Sequence, residues 1–276
     1  MLIKLGHSPD PDDAFMFYAL AKELISTGRY TFEHILKDIQ TLNDWAVEGR
    51  LEVTAISIHA YPYVQDKYAL LDSGSSMGDR YGPVVVARRP MQPAELTKAT
   101  IAVPGTMTTA FLALSLMLGK DAFTYKVMPF DAILGAVALG EADAGLIIHE
   151  GQLTFEQLGL VRVVDMGQWW YEQTQLPLPL GGNVIRRDLP QQALTDVPKL
   201  LTESIRYSLD HRAEAVEHAL QFARDMDITL ADQFVGMYVN DWTLSYGEVG
   251  QQAVRELLRR GHEAGITPAV GEIEFL

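Results

Sequence analysis

Ala144-Gly145-Leu146-Ile147-Ile148-His149-Glu150-Gly151-Gln152-Leu153 is an apolar run that stops abruptly at a histidine, an acid and a glycine. Gly-Leu-Ile-Ile shows no polar alternation. It therefore describes a strand covered on both faces, as in a parallel sheet between layers of helices. In open α/β sheets, ligands bind in the crevice beyond the carboxyl ends of the strands. The stretch thus places His149 where a buried strand emerges beside such a crevice. Taken alone, a histidine there is more often a capping or core residue than a catalytic one.

Working outward, the β/α alternation continues on both sides. Thr100-Ile101-Ala102-Val103 predicts a strand. Pro104-Gly105-Thr106-Met107-Thr108-Thr109 predicts a turn into a helix from Ala110 to Leu118. A strand from Tyr125 to Pro129 follows, and Asp131 is placed to cap a helix from Ala132 to Leu139. Beyond the opening stretch come a short helix near Thr154 to Leu158, a strand from Leu160 to Val164 and the aromatic segment Trp169-Trp170-Tyr171. Leu176-Pro177-Leu178-Pro179-Leu180-Gly181-Gly182 reads as an extended return crossing into a strand from Asn183 to Arg186.

The first part of the chain has the same style. Leu2 to Gly6 predicts a strand, and His7-Ser8-Pro9-Asp10-Pro11-Asp12-Asp13 leads into an apolar helix ending near Gly28. Further strands are expected at Thr31 to Ile35, Val53 to Ile58 and Pro83 to Arg88. Thr41-Leu42-Asn43-Asp44 has the form of a capping box opening a short helix. From Gln191 onward the periodicity is helical. Two crossings between βα units predict an α/β protein of two lobes with a cleft between them, a common site for small ligands. One lobe is expected to hold residues 1–87 and 182–276, including the C-terminal helices, and the other residues 88–181.

Composition narrows the function. The chain has 276 residues and a formal net charge of −14, which argues against a nucleic-acid partner. An anionic ligand would have to be attracted locally, by helix N-termini and hydroxyl or amide donors. The absence of cysteine excludes disulfides, thiolate metal sites and cysteine nucleophiles. No window approaches the roughly 18 uninterrupted apolar residues of a membrane span. The N-terminal stretch reads as a strand rather than a signal peptide, so a cytoplasmic protein is the expectation.

Several residues are candidates for chemistry. Thr108 and Thr109 precede a helix, where hydroxyls and free N–H groups suit a carboxylate. An ordinary threonine N-cap fits as well. Ser57 lies on a strand that can present it to the same cleft or bury it. Asp10, Asp12 and Asp13 form an acidic group at a helix start. Capping and the helix dipole explain it better than a metal, and no metal is expected. Asp13 is placed to help shape the cleft, and Ser8 and Pro9 make the turn beside it. His7 lies nearby. Glu150 can orient a neighbouring imidazole or face solvent, and strand alternation favours solvent. Ser73-Gly74-Ser75-Ser76 lacks the Gly-Lys-Ser/Thr ending of a phosphate loop, though it can edge a cleft. Trp169 and Trp170 can stack on a flat ligand or fill the core.

Ser8-Pro9-Asp10-Pro11-Asp12-Asp13-Ala14-Phe15-Met16-Phe17-Tyr18-Ala19-Leu20 resembles the opening of the 1,4-dihydroxy-6-naphthoate synthases of menaquinone biosynthesis by the futalosine pathway. Pro104-Gly105-Thr106-Met107-Thr108-Thr109-Ala110, Gly145-Leu146-Ile147-Ile148-His149-Glu150 and Leu176-Pro177-Leu178-Pro179-Leu180-Gly181 resemble further stretches in the same order, as do Gly159-Leu160-Val161 and Trp169-Trp170. The resemblance implies the fold of type II periplasmic binding proteins. It implies a lyase that splits cyclic dehypoxanthine futalosine, a carboxylate substrate, into the dihydroxynaphthoate and a sugar-derived fragment without a cofactor. It also implies that His149 is the general base, and the reading of the residues above puts Ser57, Thr108, Thr109, Ser8 and Asp13 around the substrate. A chorismate dehydratase of the same pathway and a non-catalytic solute-binding protein are the competing expectations. The Ile148-His149-Glu150 stretch favours the synthase over the dehydratase, and the lack of an export signal disfavours the binding protein.

Overall fold

A computed structural model of the chain describes residues 1–223 and 226–276. Among the described residues, eleven strands form two sheets. In chain order the first five are β1 (Leu2–His7), β2 (Thr31–Leu36), β3 (Val53–Ser57), β4 (Tyr68–Leu70) and β5 (Ser76–Gly78). The chain then leaves for β6 (Val84–Ala87), β7 (Thr100–Val103), β8 (Thr124–Val127), β9 (Ala144–Ile147) and β10 (Val161–Asp165), and returns in β11 (Leu178–Arg186).

The first sheet has the order β2-β1-β3-β11-β4, with β5 paired to β11. β1 runs parallel to β2 and β3, whereas β11 is antiparallel to β3, β4 and β5. The second sheet has the order β10-β6-β9-β7-β8. β7 is parallel to β8 and β9, whereas β6 is antiparallel to β9 and β10. All residues of β3, β6 and β9 are buried, as expected of strands covered on both faces.

The structure differs from the sequence reading in several places. Val84–Ala87, expected in the first lobe, pairs with β9 and β10 in the second sheet. Its continuous apolar sequence fits either sheet, and only the partner strands decide. The return strand begins at Leu178 rather than Asn183, because Leu178 and Pro179 already pair with Gly78 and Met77. The opening strand is parallel to β7 but antiparallel to β6, so its sheet is mixed.

The helices also shift. The helix expected to run toward Gly28 breaks into Pro11–Met16 and Tyr18–Ala21 at Phe17, whose φ of −100° and ψ of 12° leave the helical region. The helix Ile39–Glu48 is capped by Asp38, not Thr41. Asp38 accepts the Thr41 N–H at 3.0 Å and the Thr41 hydroxyl at 2.6 Å, so Thr41 is the third residue of the cap and not its start. Asp131 lies inside a 3-10 turn, Phe130–Ala132, that precedes the helix Ile133–Leu139.

One apolar cluster runs through both lobes. It joins Ile56 of β3 and Val184 of β11 to Val85, Ile101 and Leu146 of the second sheet. Leu112 and Ala113 of the helix Thr109–Leu118 and Leu257 of the helix Gly247–Glu263 complete the junction. The lobes are therefore joined by hydrophobic contact, and Ile56 and Ala110 of that cluster also line the cleft between them. Among the described residues, no helix is long and apolar enough to cross a membrane.

Candidate active site

The strand ends and turns named from the sequence converge on one cleft. Ser8, Asp13, Ser57, Thr108, Thr109 and His149 all line it. Asp10, Asp12, Gly74, Ser76, Ile148, Leu180, Phe234 and Tyr238 add to the wall.

The carboxyl end of β9 delivers His149. Its Nδ1 lies 3.0 Å from Oδ2 of Asp10, which comes from the turn after β1 in the other lobe. The Phe130 ring packs against the imidazole with centroids 4.1 Å apart. Burial alone would depress the His149 pKa. The Asp10 carboxylate, its hydrogen bond and the nearby charges of Glu150 and Asp12 outweigh that and raise it above the ordinary imidazole value. Glu150 does not simply face solvent. It is half-buried, and its carboxylate comes within 4.8 Å of the donor atoms of Asp10 and His149.

These three are the residues whose atoms lie close enough to share a cation among the described ones. The Nδ1–Oδ2 distance of 3.0 Å is also that of a hydrogen bond.

The turn Ser8–Asp13 is acidic and buried. The Ser8 N–H donates to Oδ2 of Asp13 at 2.6 Å. Burial pushes Asp13 up to about 6, with the Ser8 bond opposing and Asp10 adding to the rise. Asp12 is also pushed up, first by burial and then by Asp13 and Asp10. Three carboxylates in one turn cannot all ionise cheaply.

The other polar group of the wall is neutral. Asn43, buried in the helix Ile39–Glu48, clasps Ser57 from both sides. Its Oδ1 accepts the Ser57 N–H at 2.8 Å and its Nδ2 donates to the Ser57 hydroxyl at 3.1 Å. The Ser57 hydroxyl oxygen thus acts as an acceptor toward Asn43 while Ser57 lines the cleft. The Thr108 hydroxyl caps the helix Thr109–Leu118, accepting the Phe111 N–H at 3.2 Å and donating to the Gly105 carbonyl at 2.9 Å. The Thr109 hydroxyl donates to the Leu180 carbonyl at 2.6 Å and accepts the His59 N–H at 3.2 Å. Both hydroxyl protons are thus committed to the backbone. What this turn offers an anion is the set of first-turn N–H groups, Thr109 and Ala110, which helix geometry leaves without intrahelical acceptors.

Polar ties cross between the lobes around the cleft. Gln40 accepts the Met107 N–H at 3.0 Å, passing over Gly105, where a Cβ would stand 2.1 Å from its Oε1. Asn43 reaches the Met107 carbonyl at 3.4 Å. His59 donates from Nδ1 to the Thr108 carbonyl at 3.1 Å, and burial holds its pKa down at about 4. Tyr238 donates to Oε1 of Gln152 at 2.8 Å, both side chains being buried.

Gln40, Asn43, His59, Gln152 and Tyr238 take part in these ties although their sequence context does not single them out. Asn43 left a trace as a polar residue between Leu42 and Ala46 on the buried face of its helix. Tyr238 looks like core on an apolar helix stripe, and nothing local marks it.

Other candidates lie elsewhere. His7 is buried beneath the first lobe, its Nε2 3.0 Å from Nδ1 of His34 and its ring against Phe17. Burial, then His34, push it down to about 3. Trp170 is fully buried, with its indole N–H donated to the Pro177 carbonyl at 3.1 Å, and neither Trp169 nor Trp170 lines the cleft. Gly74 and Ser76 edge the cleft, while Ser73 and Ser75 bond to Thr202 and Trp242.

Comparison with known proteins follows the same lines. The profile of a family described as menaquinone biosynthesis matches residues 3–263. A 1,4-dihydroxy-6-naphthoate synthase of Thermus thermophilus is 41% identical over 264 residues, covering 96% of this chain and 95% of that protein. The protein of the same name in Streptomyces coelicolor is 37% identical over 273 residues, with coverage of 98% and 96%. The crystal structure of an Archaeoglobus fulgidus protein superposes with a TM-score of 0.92 at 44% identity, covering 96% of this chain and 98% of that one. At 11% identity, a Candida albicans protein described as having the generic periplasmic binding protein fold gives a TM-score of 0.74, with coverage of 99% and 93%. That likeness bears on the fold alone: two lobes of the periplasmic-binding-protein type.

Proposed function

The chain belongs to the menaquinone-biosynthesis family, as a lyase related to the 1,4-dihydroxy-6-naphthoate synthases, and from that premise we propose that it splits cyclic dehypoxanthine futalosine. The products are 1,4-dihydroxy-6-naphthoate and a sugar-derived fragment. The observation that carries this reading is the placement of His149 at the mouth of β9, on the same cleft as Ser57 and the Thr108-Thr109 turn.

The reaction removes a carbon-bound proton. The electron pair left behind moves into the ring that becomes aromatic, and the sugar portion departs with the bonding pair. His149 takes the proton, a task suited to an imidazole titrating near neutrality. Ser57 and the N–H groups of Thr109 and Ala110 hold the substrate carboxylate. Their neutral donors overcome locally the repulsion expected from a net charge of −14. Ser8 and Asp13 shape the opposite contribution to the wall, where hydroxyl groups of the sugar find carboxylate acceptors. The ring of Phe130 and the fused lobes keep water from the imidazole.

Incubation of the purified chain with cyclic dehypoxanthine futalosine should release the naphthoate, identified by mass. Rapid dehydration of chorismate in a parallel incubation would reassign the chain to the dehydratase. Tight binding of the futalosine derivative without product would make it a solute-binding protein.

A further inference from the structure

Asp10 occupies the N-cap position of the helix Pro11–Met16, with extended φ of −114° and ψ of 156°. An aspartate there ordinarily accepts an N–H of the first turn. Its side chain makes no such bond. It points across the cleft instead, and its Oδ2 meets Nδ1 of His149 at 3.0 Å. The carboxylate side chain is only 3% exposed and the imidazole 12%. Forgoing a capping bond worth about 1 kcal/mol for a buried contact with a residue of the other lobe calls for a reason.

We infer that Asp10 is the positioning residue of the general base, holding the Nδ1 proton of His149 from the opposite lobe so that Nε2 is the nitrogen that accepts the substrate proton. This rests on His149 being the base. A carboxylate can only accept, so the contact fixes the neutral ring as the Nδ1–H tautomer. The Nε2 atom is buried and has no hydrogen-bond partner among the described residues, an orphaned acceptor that a substrate proton would satisfy. When Nε2 takes the substrate proton, the imidazolium that forms lies against the Asp10 carboxylate, which offsets its burial. The base is therefore assembled from two lobes and is complete only when they are together. The charged groups that bear on His149 are Asp10 and Asp12 from the first-lobe turn and Glu150 from its own segment.

The test combines Asp10→Asn, His149→Asn and the double variant with nitrogen-15 NMR of the wild-type imidazole. An asparagine amide can donate to Nδ1 and move the ring proton to Nε2, disabling the base while preserving shape. We expect Asp10→Asn to lower kcat about 10²–10⁴-fold with affinity for 1,4-dihydroxy-6-naphthoate changed less than about threefold. The acid limb of its residual activity should move to lower pH. The double variant should be no slower than His149→Asn, and Asp10→Glu should restore part of the rate. In the wild-type NMR spectrum, which needs no variant to fold, the neutral His149 ring should carry its proton on Nδ1.

A wild-type ring protonated on Nε2 overturns the inference. So does an Asp10→Asn variant with unchanged kcat and pH profile beside an inactive His149→Asn, a result that leaves the base reading standing. Near wild-type turnover by His149→Asn removes the base and its positioning residue together.

Discussion

A histidine that acts as a base must be neutral, and His149 is surrounded by groups that favour its charged form. Asp10, Glu150 and Asp12 together outweigh burial and raise its pKa. Activity should therefore be lost on acidification at a higher pH than for a free imidazole, whose value is about 6.5. A profile of kcat/KM against pH is expected to show its acid limb above that value. A limb well below it would mean that the charges around His149 are not sensed by the base.

Asp12 carries the opposite lesson. Its folded pKa is raised by burial, Asp13 and Asp10, so ionising it opposes folding at neutral pH. The sign follows from linkage. Stability is greatest where the carboxyl is protonated in both states and falls as pH rises above its unfolded value. Asp12→Asn should thus raise the thermal midpoint at pH 7 and change it less at pH 4. A lower midpoint at pH 7 would show that the ionised carboxylate is held by stabilising partners.

At the scale of elements, the helix Ile39–Glu48 works as a clamp. Its Asn43 satisfies the Ser57 backbone and hydroxyl, and Gln40 and Asn43 both grip Met107 of the other lobe. Asn43→Ala would leave the buried Ser57 N–H without its acceptor, at a cost of about 1–3 kcal/mol. It should also free Ser57 and the Thr108-Thr109 turn to shift, raising KM more than it lowers kcat. Chemical denaturation and steady-state kinetics would check both. An unchanged KM would contradict the clamp.

This element also marks the limit of what the sequence tells. The strand ends bearing Ser57 and His149 were legible, because buried strands have a composition of their own. Asn43 was not, because its role depends on partners 14 residues away on β3 and 64 residues away at Met107. Thr108 and Thr109 stand at the start of a helix, as their sequence predicts, yet the direction of their hydroxyl bonds, to Gly105 and Leu180, appears only in three dimensions.

At the scale of the molecule, two lobes and a cleft followed from counting crossings in the chain. The placement of Val84–Ala87 did not, since an all-apolar strand names no sheet. The cross-lobe contacts were invisible in sequence for the same reason as the Asp10–His149 pair: their partners lie far apart in the chain. Those contacts and the apolar cluster together hold the two lobes around the cleft. Binding of 1,4-dihydroxy-6-naphthoate should then protect the amides of the Ser8–Asp13 turn and of the 148–152 segment together in hydrogen exchange. At a hundredfold excess over Kd it should add about 2.7 kcal/mol to stability. Protection confined to one lobe would rule out a site shared by both.

The most direct measurement is a single-turnover assay of wild type and His149→Asn on cyclic dehypoxanthine futalosine, with product affinity determined separately. His149 acting as the general base predicts a loss of about 10²–10⁴-fold in the rate of naphthoate formation with little change in product binding. A variant that binds the product normally and forms the naphthoate at a near wild-type rate would contradict it.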